Sequence, residues 1–490
     1  MYKLLLIVSF ILYVPVTECA RILGVFPSMF YSHQVVYRRY INALVNKGHH
    51  VVVITNWPEY DKGKTPTNLT EIDISADFHK IWIEKKTDII DKFLRDKSNK
   101  FDLVVLESLL RMATAFSDYY QIPAIKFSSQ GAFFENYNTI GASTQPILYP
   151  LMFQNNIYNL SLWEEVSLLY QNLYYRKVLY DTKDIESEAI KTIFHNKASE
   201  VDILENNVHL LYINTHPMWE TIRPVPITAI YTYGIHQAPS KELTSDLASF
   251  LNNSANGVIY VSFGTTVDIS AYSKEIQVML KAFSQLPYDF LFKWNEDELA
   301  GKSSNIKIVK WVPQADLLKH PKIKAFITQG GTQSTDEAIV AGVPLVGIPL
   351  AFDQWANTER YVHHGIGIQI HIDKLTEEQL INAINTVIND KSYRHNIEKI
   401  GATFFDHPQS PLLRTLWWTE YLLRHGGVSH LRSPSANITW IEYFEVELIF
   451  ILLFILFIIF TTLYRIFLII FKYMKYKLLA TNQTKDLPLL

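Results

Sequence analysis

Residues 326–354 read Phe-Ile-Thr-Gln-Gly-Gly-Thr-Gln-Ser-Thr-Asp-Glu-Ala-Ile-Val-Ala-Gly-Val-Pro-Leu-Val-Gly-Ile-Pro-Leu-Ala-Phe-Asp-Gln. The order of residue types spells a strand, a glycine turn, a helix, a stop, a second strand and a loop. Gly330 and Gly331 let the backbone come close to a ligand, and free N–H groups are expected to open a helix near Ser334. A helix start of this kind is a natural diphosphate site. Ser334-x-x-Glu337 also fits a capping box, so Glu337 has two readings from local pattern alone: a cap, or a carboxylate offered to a ligand.

The same alternation continues in both directions. Downstream of a linker over 237–246, strands are expected at 257–263, 289–294, 306–311, 323–328 and 345–349, with a helix over Ser273–Ser284. The first of these strands ends in the turn Gly264-Thr265-Thr266. Upstream, Arg21–Phe26, a helix from an N-cap at Ser32 to Lys47, a stop at Gly48 and His50–Thr55 form a β-α-β unit. Further strands are expected at 101–107, 122–127 and 208–214. Strands alternating with helices in both halves imply two parallel-sheet α/β domains, 21–236 and 247–440, with a cleft between them. Residues 150–205 read as helical and rich in aromatics (Tyr158, Trp163, Tyr170, Tyr174, Tyr175, Tyr180), either a packing layer or part of a pocket for an apolar ligand.

The chain of 490 residues is 48% hydrophobic and 19% charged, which places it among globular rather than disordered proteins. Its net charge of −3 lacks the basic excess of a nucleic-acid binder, so no nucleic-acid partner is expected. The single cysteine, Cys19, closes a leader over 1–20 with an early Lys3 and an apolar run. Once that leader is removed, disulfides, thiolate metal sites and a cysteine nucleophile are excluded. Near the other end, 446–471 reads as one transmembrane helix; from Leu448 onward Arg465 is its one charged residue, and it can snorkel to the membrane surface. Lys472, Lys475 and Lys477 follow it, so the positive-inside rule puts the tail 472–490 in the cytosol and the bulk in a lumen. Asn68, Asn159, Asn252 and Asn437 head lumenal N-glycosylation triplets.

Taken whole, the string 326–354 resembles the signature of the UDP-glycosyltransferase family. The spacing from Thr328 through Gly330-Gly331, Glu337, Gly342-x-Pro344 and Pro349 to Asp353-Gln354 matches. The resemblance extends to Trp311-Val-Pro-Gln314, to Ser262-Phe-Gly-Thr-Thr266, and to Ser410-Pro-Leu-Leu-Arg414 through Arg424-His425. Gln329 and Ser334-Thr-Asp-Glu337 look most like insect and insect-virus members. The resemblance implies a GT-B fold: two Rossmann-like domains with a cleft, the first for an acceptor and the second for the donor, plus a C-terminal membrane helix. It implies that Trp311 stacks on uracil, Gln314 meets the uridine, and Glu337 takes the ribose hydroxyls. Thr265, Gln329, Gly330, Gly331, Gln333 and Ser334 would line the diphosphate, and Asp353 and Gln354 the donor sugar. Most animal members carry His where this chain has Gln329, so diphosphate binding here would lean more on the helix start.

For catalysis, His33 lies at a predicted helix start, where the positive helix end favours the neutral, proton-accepting ring. The family's base matches His33, and its carboxylate partner, usually Asp, matches Glu107 at the end of strand 101–107. Asp102 is the rival, at the strand's opposite end. No Asp-x-Asp pair is present, so no metal or other cofactor is expected. The resemblance thus implies inverting transfer of a hexose, most readily glucose, from a UDP-sugar to a hydroxyl of a small lipophilic acceptor, in the endoplasmic reticulum membrane. The alternative is a non-catalytic membrane-anchored protein of the same fold that binds a ligand or UDP-sugar.

Overall fold

The computed structural model describes residues 19–76, 88–238, 240–265, 267 and 269–483. The body of the expected leader, with Thr266 and the last residues of the tail, lies outside them. The chain divides into two compact units, 1–436 and 437–490.

The first unit is built on two sheets, each parallel throughout. One has seven strands in the order β3-β2-β1-β4-β5-β6-β7. These are β1 (Arg21–Phe26), β2 (His50–Thr55), β3 (Leu69–Asp73), β4 (Leu103–Glu107), β5 (Ala124–Ser128), β6 (Val208–Ile213) and β7 (Ala229–Tyr231). The other has six strands in the order β10-β9-β8-β11-β12-β13. These are β8 (Val258–Ser262), β9 (Asp289–Lys293), β10 (Ile306–Val309), β11 (Ile323–Thr328), β12 (Leu345–Gly347) and β13 (Gly367–Gln369). Central strands such as β8, Val-Ile-Tyr-Val-Ser, are buried along their whole length, because helices cover both faces of a parallel sheet.

In each sheet the strand order reverses once, between β1 and β4 and between β8 and β11. At such a switch point the loops leave in opposite directions and open a crevice at the carboxyl ends. His33 follows β1 and Glu107 ends β4. Thr265 follows β8 and Gln329 follows β11. Sheet topology thus collects residues that stand far apart in sequence.

The two halves are packed into one body. Trp219 and Tyr233 sit in the apolar core under the second sheet, with Phe326, Tyr361 and Phe404. In return, the helix Pro411–His425 places Leu416 and Leu422 in the core under the first sheet, beside Tyr37 and Tyr40. This helix is locally encoded at both ends. Ser410 caps it by accepting from the Leu413 amide, Pro411 takes the first turn, and Gly426 ends it at φ 62°.

Several expectations are corrected. The first helix runs Tyr31–Asn46 from an N-cap at Phe30, not Ser32. The hydroxyl that organises this turn is Ser28's, which accepts from the Phe30 amide at 3.2 Å. Strands β3, β7 and β13 were not expected. They are short edge strands that take their extended form from a neighbour's hydrogen bonds. The aromatic stretch is irregular until Ser161, where a Ser161–Glu164 capping box starts the helix Leu162–Asp181.

In the second unit a helix runs Val446–Gln483, and its segment Val446–Leu478 is long and apolar enough to cross a membrane. It extends beyond the expected end at 471 and takes Lys472, Lys475 and Lys477 into the same helix.

Candidate active site between the two sheets

The turn between β1 and the first helix is held rigidly by local side chains. Gln34 Nε2 donates to the carbonyls of Phe26 (2.9 Å) and Ser28 (3.2 Å), and Asn56 Nδ2 donates to that of Pro27. His33 is thereby buried with Nδ1 2.9 Å from Glu107 Oε1 and 3.3 Å from Ser28 Oγ. A carboxylate only accepts, so in the neutral ring this pairing selects the tautomer with the proton on Nδ1 and the lone pair on Nε2. The Tyr37 hydroxyl stays neutral: burial, and then the neighbouring Glu107 charge, push its pKa well up. Asp102, the rival carboxylate, is spent elsewhere, accepting from the Arg21 amide at 2.7 Å.

On the facing half, Gly330 and Gly331 play different parts. Gly330 has φ 91°, and a Cβ there would lie 2.5 Å from Thr358 Cγ2, so only glycine fits. Gly331 has an ordinary φ of −64°, and a Cβ there would meet nothing nearer than Gln329 Nε2 at 3.7 Å. Its bareness leaves open space above the turn. The helix begins directly after it, Thr332–Ala341, and no side chain caps it. Its first N–H groups are therefore available to an anion.

This start, two residues before Ser334, removes the capping-box reading. Ser334 Oγ instead accepts from Gln314 Nε2 (2.9 Å), which also donates to Glu337 Oε2 (2.8 Å). Burial pushes the Glu337 carboxyl up to about 7, against the opposing pull of the Gln314 hydrogen bond. Trp311 is 61% exposed, with Tyr31 edge-on at 5.7 Å and Lys293 Nζ 5.3 Å from its ring centre. Lys293 is itself anchored to the Gly264 carbonyl at 2.6 Å. An indole this exposed is free to stack on a flat ligand.

Gln329 is buried against Gly264, and its Oε1 has no partner among the described residues. Gln333 Nε2 reaches across to the Ser129 carbonyl, just past β5, at 2.9 Å. Thr265 is exposed at the end of β8.

Asp353 accepts through Oδ2 from Thr332 Oγ1 (2.7 Å) and Asn357 Nδ2 (2.9 Å). Burial raises its pKa, and the Thr332 hydrogen bond and the nearby His33 ring pull it back down. The base candidate and the sugar-binding candidate are thus close enough to act on one another electrostatically. Gln354 Oε1 accepts from the amides of Leu350 (2.8 Å) and Ala351 (2.9 Å), which fixes the loop that presents Asp353.

Residues unnoticed in the sequence complete the site. Asn357 holds Asp353, donates to the Gly330 carbonyl at 2.9 Å, and accepts from Trp219 Nε1 of the other half at 3.0 Å. Its position four residues after Asp353 on one helix was a readable signal; its bond to Trp219 was not. Among the described residues no group of three or more His, Cys, Asp or Glu side chains is placed to hold a metal.

These elements together comprise a buried histidine–carboxylate pair, a hydrogen-bonded buried carboxylate, an uncapped helix start and an exposed indole. Comparison with known proteins gives the family. The family described as UDP-glucoronosyl and UDP-glucosyl transferase matches residues 67–480. An ecdysteroid UDP-glucosyltransferase of Spodoptera littoralis nuclear polyhedrosis virus is 32% identical, over 88% of this chain and 94% of its own length. Human UDP-glucuronosyltransferase 2B15 is 28% identical, over 89% and 90%. Among solved structures, the spinosyn forosaminyltransferase SpnP superposes with a TM-score of 0.59 at 15% identity, over 82% of this chain and 100% of its own, a likeness of fold alone. The chain therefore belongs to the UDP-glycosyltransferase family and is a UDP-glycosyltransferase of GT-B fold.

Proposed function

We propose that the chain transfers glucose from UDP-glucose to a hydroxyl of a small lipophilic acceptor, with inversion and without a metal. The observation that carries this reading is the buried His33–Glu107 pair, Nδ1 to Oε1 2.9 Å, at the carboxyl ends of adjacent strands. His33 Nε2 takes the acceptor proton while Glu107 stabilises the imidazolium. The acceptor oxygen attacks the anomeric carbon from the side opposite UDP. The open N–H groups at 332–334, with Gln329, receive the charge that develops on the departing diphosphate. Trp311, Gln314 and Glu337 hold the uridine, and Asp353 and Gln354 the sugar. The name of the viral relative supports glucose as the sugar.

The test is UDP release from microsomes containing the full chain, with each UDP-sugar set against a panel of phenols and steroids. Acceptor-dependent release, fastest with UDP-glucose, is expected. UDP-sugar binding with no release across the panel would favour the non-catalytic ligand-binding reading.

We further place the first unit in the lumen of the endoplasmic reticulum, with the helix Val446–Gln483 as its anchor. Asn159 and Asn252 are exposed and available for glycans. Asn68 Nδ2 is committed to the carbonyls of Val45 (2.8 Å) and His49 (2.9 Å), and a glycan there would break both bonds. Asn437, at φ 60°, is only partly exposed. Endoglycosidase treatment is expected to sharpen gel mobility. Combined Asn159→Gln and Asn252→Gln replacement should abolish most of that shift, and Asn68→Gln should leave it unchanged.

A further inference from the structure

Phe352 stands out as the residue whose backbone and side chain both call for explanation. It has φ 54°, in the left-handed region that a bulky side chain disfavours and glycine would occupy freely. The loop around it is pinned, because Gln354 Oε1 takes both the Leu350 and Ala351 amides. The strained conformation is thus imposed by the same contacts that present Asp353. Glycine would relieve it, yet the chain carries one of its largest apolar side chains.

That side chain does not serve the core, since it is 56% exposed. It points across the cleft onto Phe30 of the other half, with ring centres 5.8 Å apart and planes at 62°. Phe30 in turn lies 5.4 Å from the His33 ring. Phe352, Phe30 and His33 therefore form a row, and the residue after Phe352 is Asp353. An exposed apolar ring held in a strained pose beside the reacting groups points to a role there.

We propose that Phe352 is a specificity-determining residue, which meets Phe30 to form an apolar shutter over the reaction centre, excluding water and favouring hydroxyls carried on apolar rings. The inference rests on the catalytic reading of His33 and Asp353 given above. Its chemical need is plain. A base that takes the proton of an acceptor hydroxyl as it attacks can also take one from water held at the same place. Water attack would bond its oxygen to the anomeric carbon and pass its proton to His33. The carbon–oxygen bond to the diphosphate would break with its electron pair leaving on UDP, and free sugar would be lost. An apolar wall contributed from both halves blocks that route and offers a surface to a lipophilic acceptor.

The test uses the full-length membrane protein and its Phe352→Gly, Phe352→Leu and His33→Ala variants. UDP release without acceptor and glycoside formation with a phenolic acceptor are measured side by side. Because glycine accepts φ 54°, the melting temperature of Phe352→Gly should not fall. Its ratio of hydrolysis to transfer should rise about tenfold, with a higher KM for the acceptor and little change in KM for the UDP-sugar. Phe352→Leu should recover most of the partition. An unchanged ratio and unchanged acceptor KM in Phe352→Gly would overturn the proposal. So would equal loss of both reactions at an unchanged melting temperature, which would make Phe352 a support for the Asp353 loop. Transfer that survives His33→Ala would count against the catalytic reading instead, in an arm of its own.

Discussion

His33→Ala is expected to lower acceptor-dependent turnover by roughly 10²–10⁴-fold, the usual contribution of a positioned general base. Binding of UDP-sugar should hold, because the uridine and diphosphate candidates lie on the other half. The variant should fold, since the turn before residue 33 is kept by Gln34, Asn56 and Ser28 rather than by the imidazole. Glu107→Gln separates orientation from charge. Its amide oxygen can still accept from Nδ1, but it does not stabilise the imidazolium that forms during transfer. A loss smaller than that of His33→Ala, confined to turnover, is expected. Steady-state rates at saturating donor, with a melting curve for each variant, check both. Turnover of His33→Ala within a few-fold of the parent would remove this residue as the base.

The second large effect concerns the donor. Glu337→Ala is expected to weaken UDP-glucose binding by about 10²-fold or more, because two hydrogen bonds to a charged carboxylate contribute about 1.5–3 kcal/mol each. The affinity should also depend on pH. Burial raises the Glu337 carboxyl from its ordinary 4.5 to about 7. Below that value the group is protonated and cannot accept both ribose hydroxyls, so affinity should fall as pH drops through about 7. UDP-glucose is the right probe, since its diphosphate has no terminal ionisation near neutrality, unlike UDP. Titration calorimetry across this range should show the loss in the parent and a flattened profile in Glu337→Gln. The same shift bears on stability with a defined sign. With its folded pKa above 4.5, Glu337 favours the folded state fully below pH 4.5, and that contribution disappears as pH rises through about 7. On the proposed reading, bound nucleotide is expected to offset this loss at neutral pH by supplying partners for the ionised carboxylate.

The cap reading of Glu337, one of the two that local pattern allowed, shows where local pattern stops. Ser334-x-x-Glu337 is a valid capping box as a string, and only the observed helix start at Thr332 rules it out. Gly331 rather than Ser334 ends the turn because Gly330 takes the left-handed conformation and lets the helix begin at once. The same holds at Ser32, where the turn is closed by Ser28. Strands β3, β7 and β13 had no signal of their own, because each is extended only by pairing with a neighbour.

The sequence by itself determined the two parallel α/β halves, the family, and the long apolar helix near the C-terminus. Each is written in short-range terms: buried strands as unbroken apolar runs, turns as glycine, helix ends as Ser410-Pro411 and Gly426, a membrane-length span as a long apolar run broken by one charge, Arg465. Tertiary structure alone decided how the halves meet. Asn357 to Trp219, Gln333 to Ser129, and Phe352 to Phe30 are all contacts between residues more than a hundred positions apart. Such contacts leave no periodicity in the chain, because they depend on where two switch points face each other and not on what stands beside each residue.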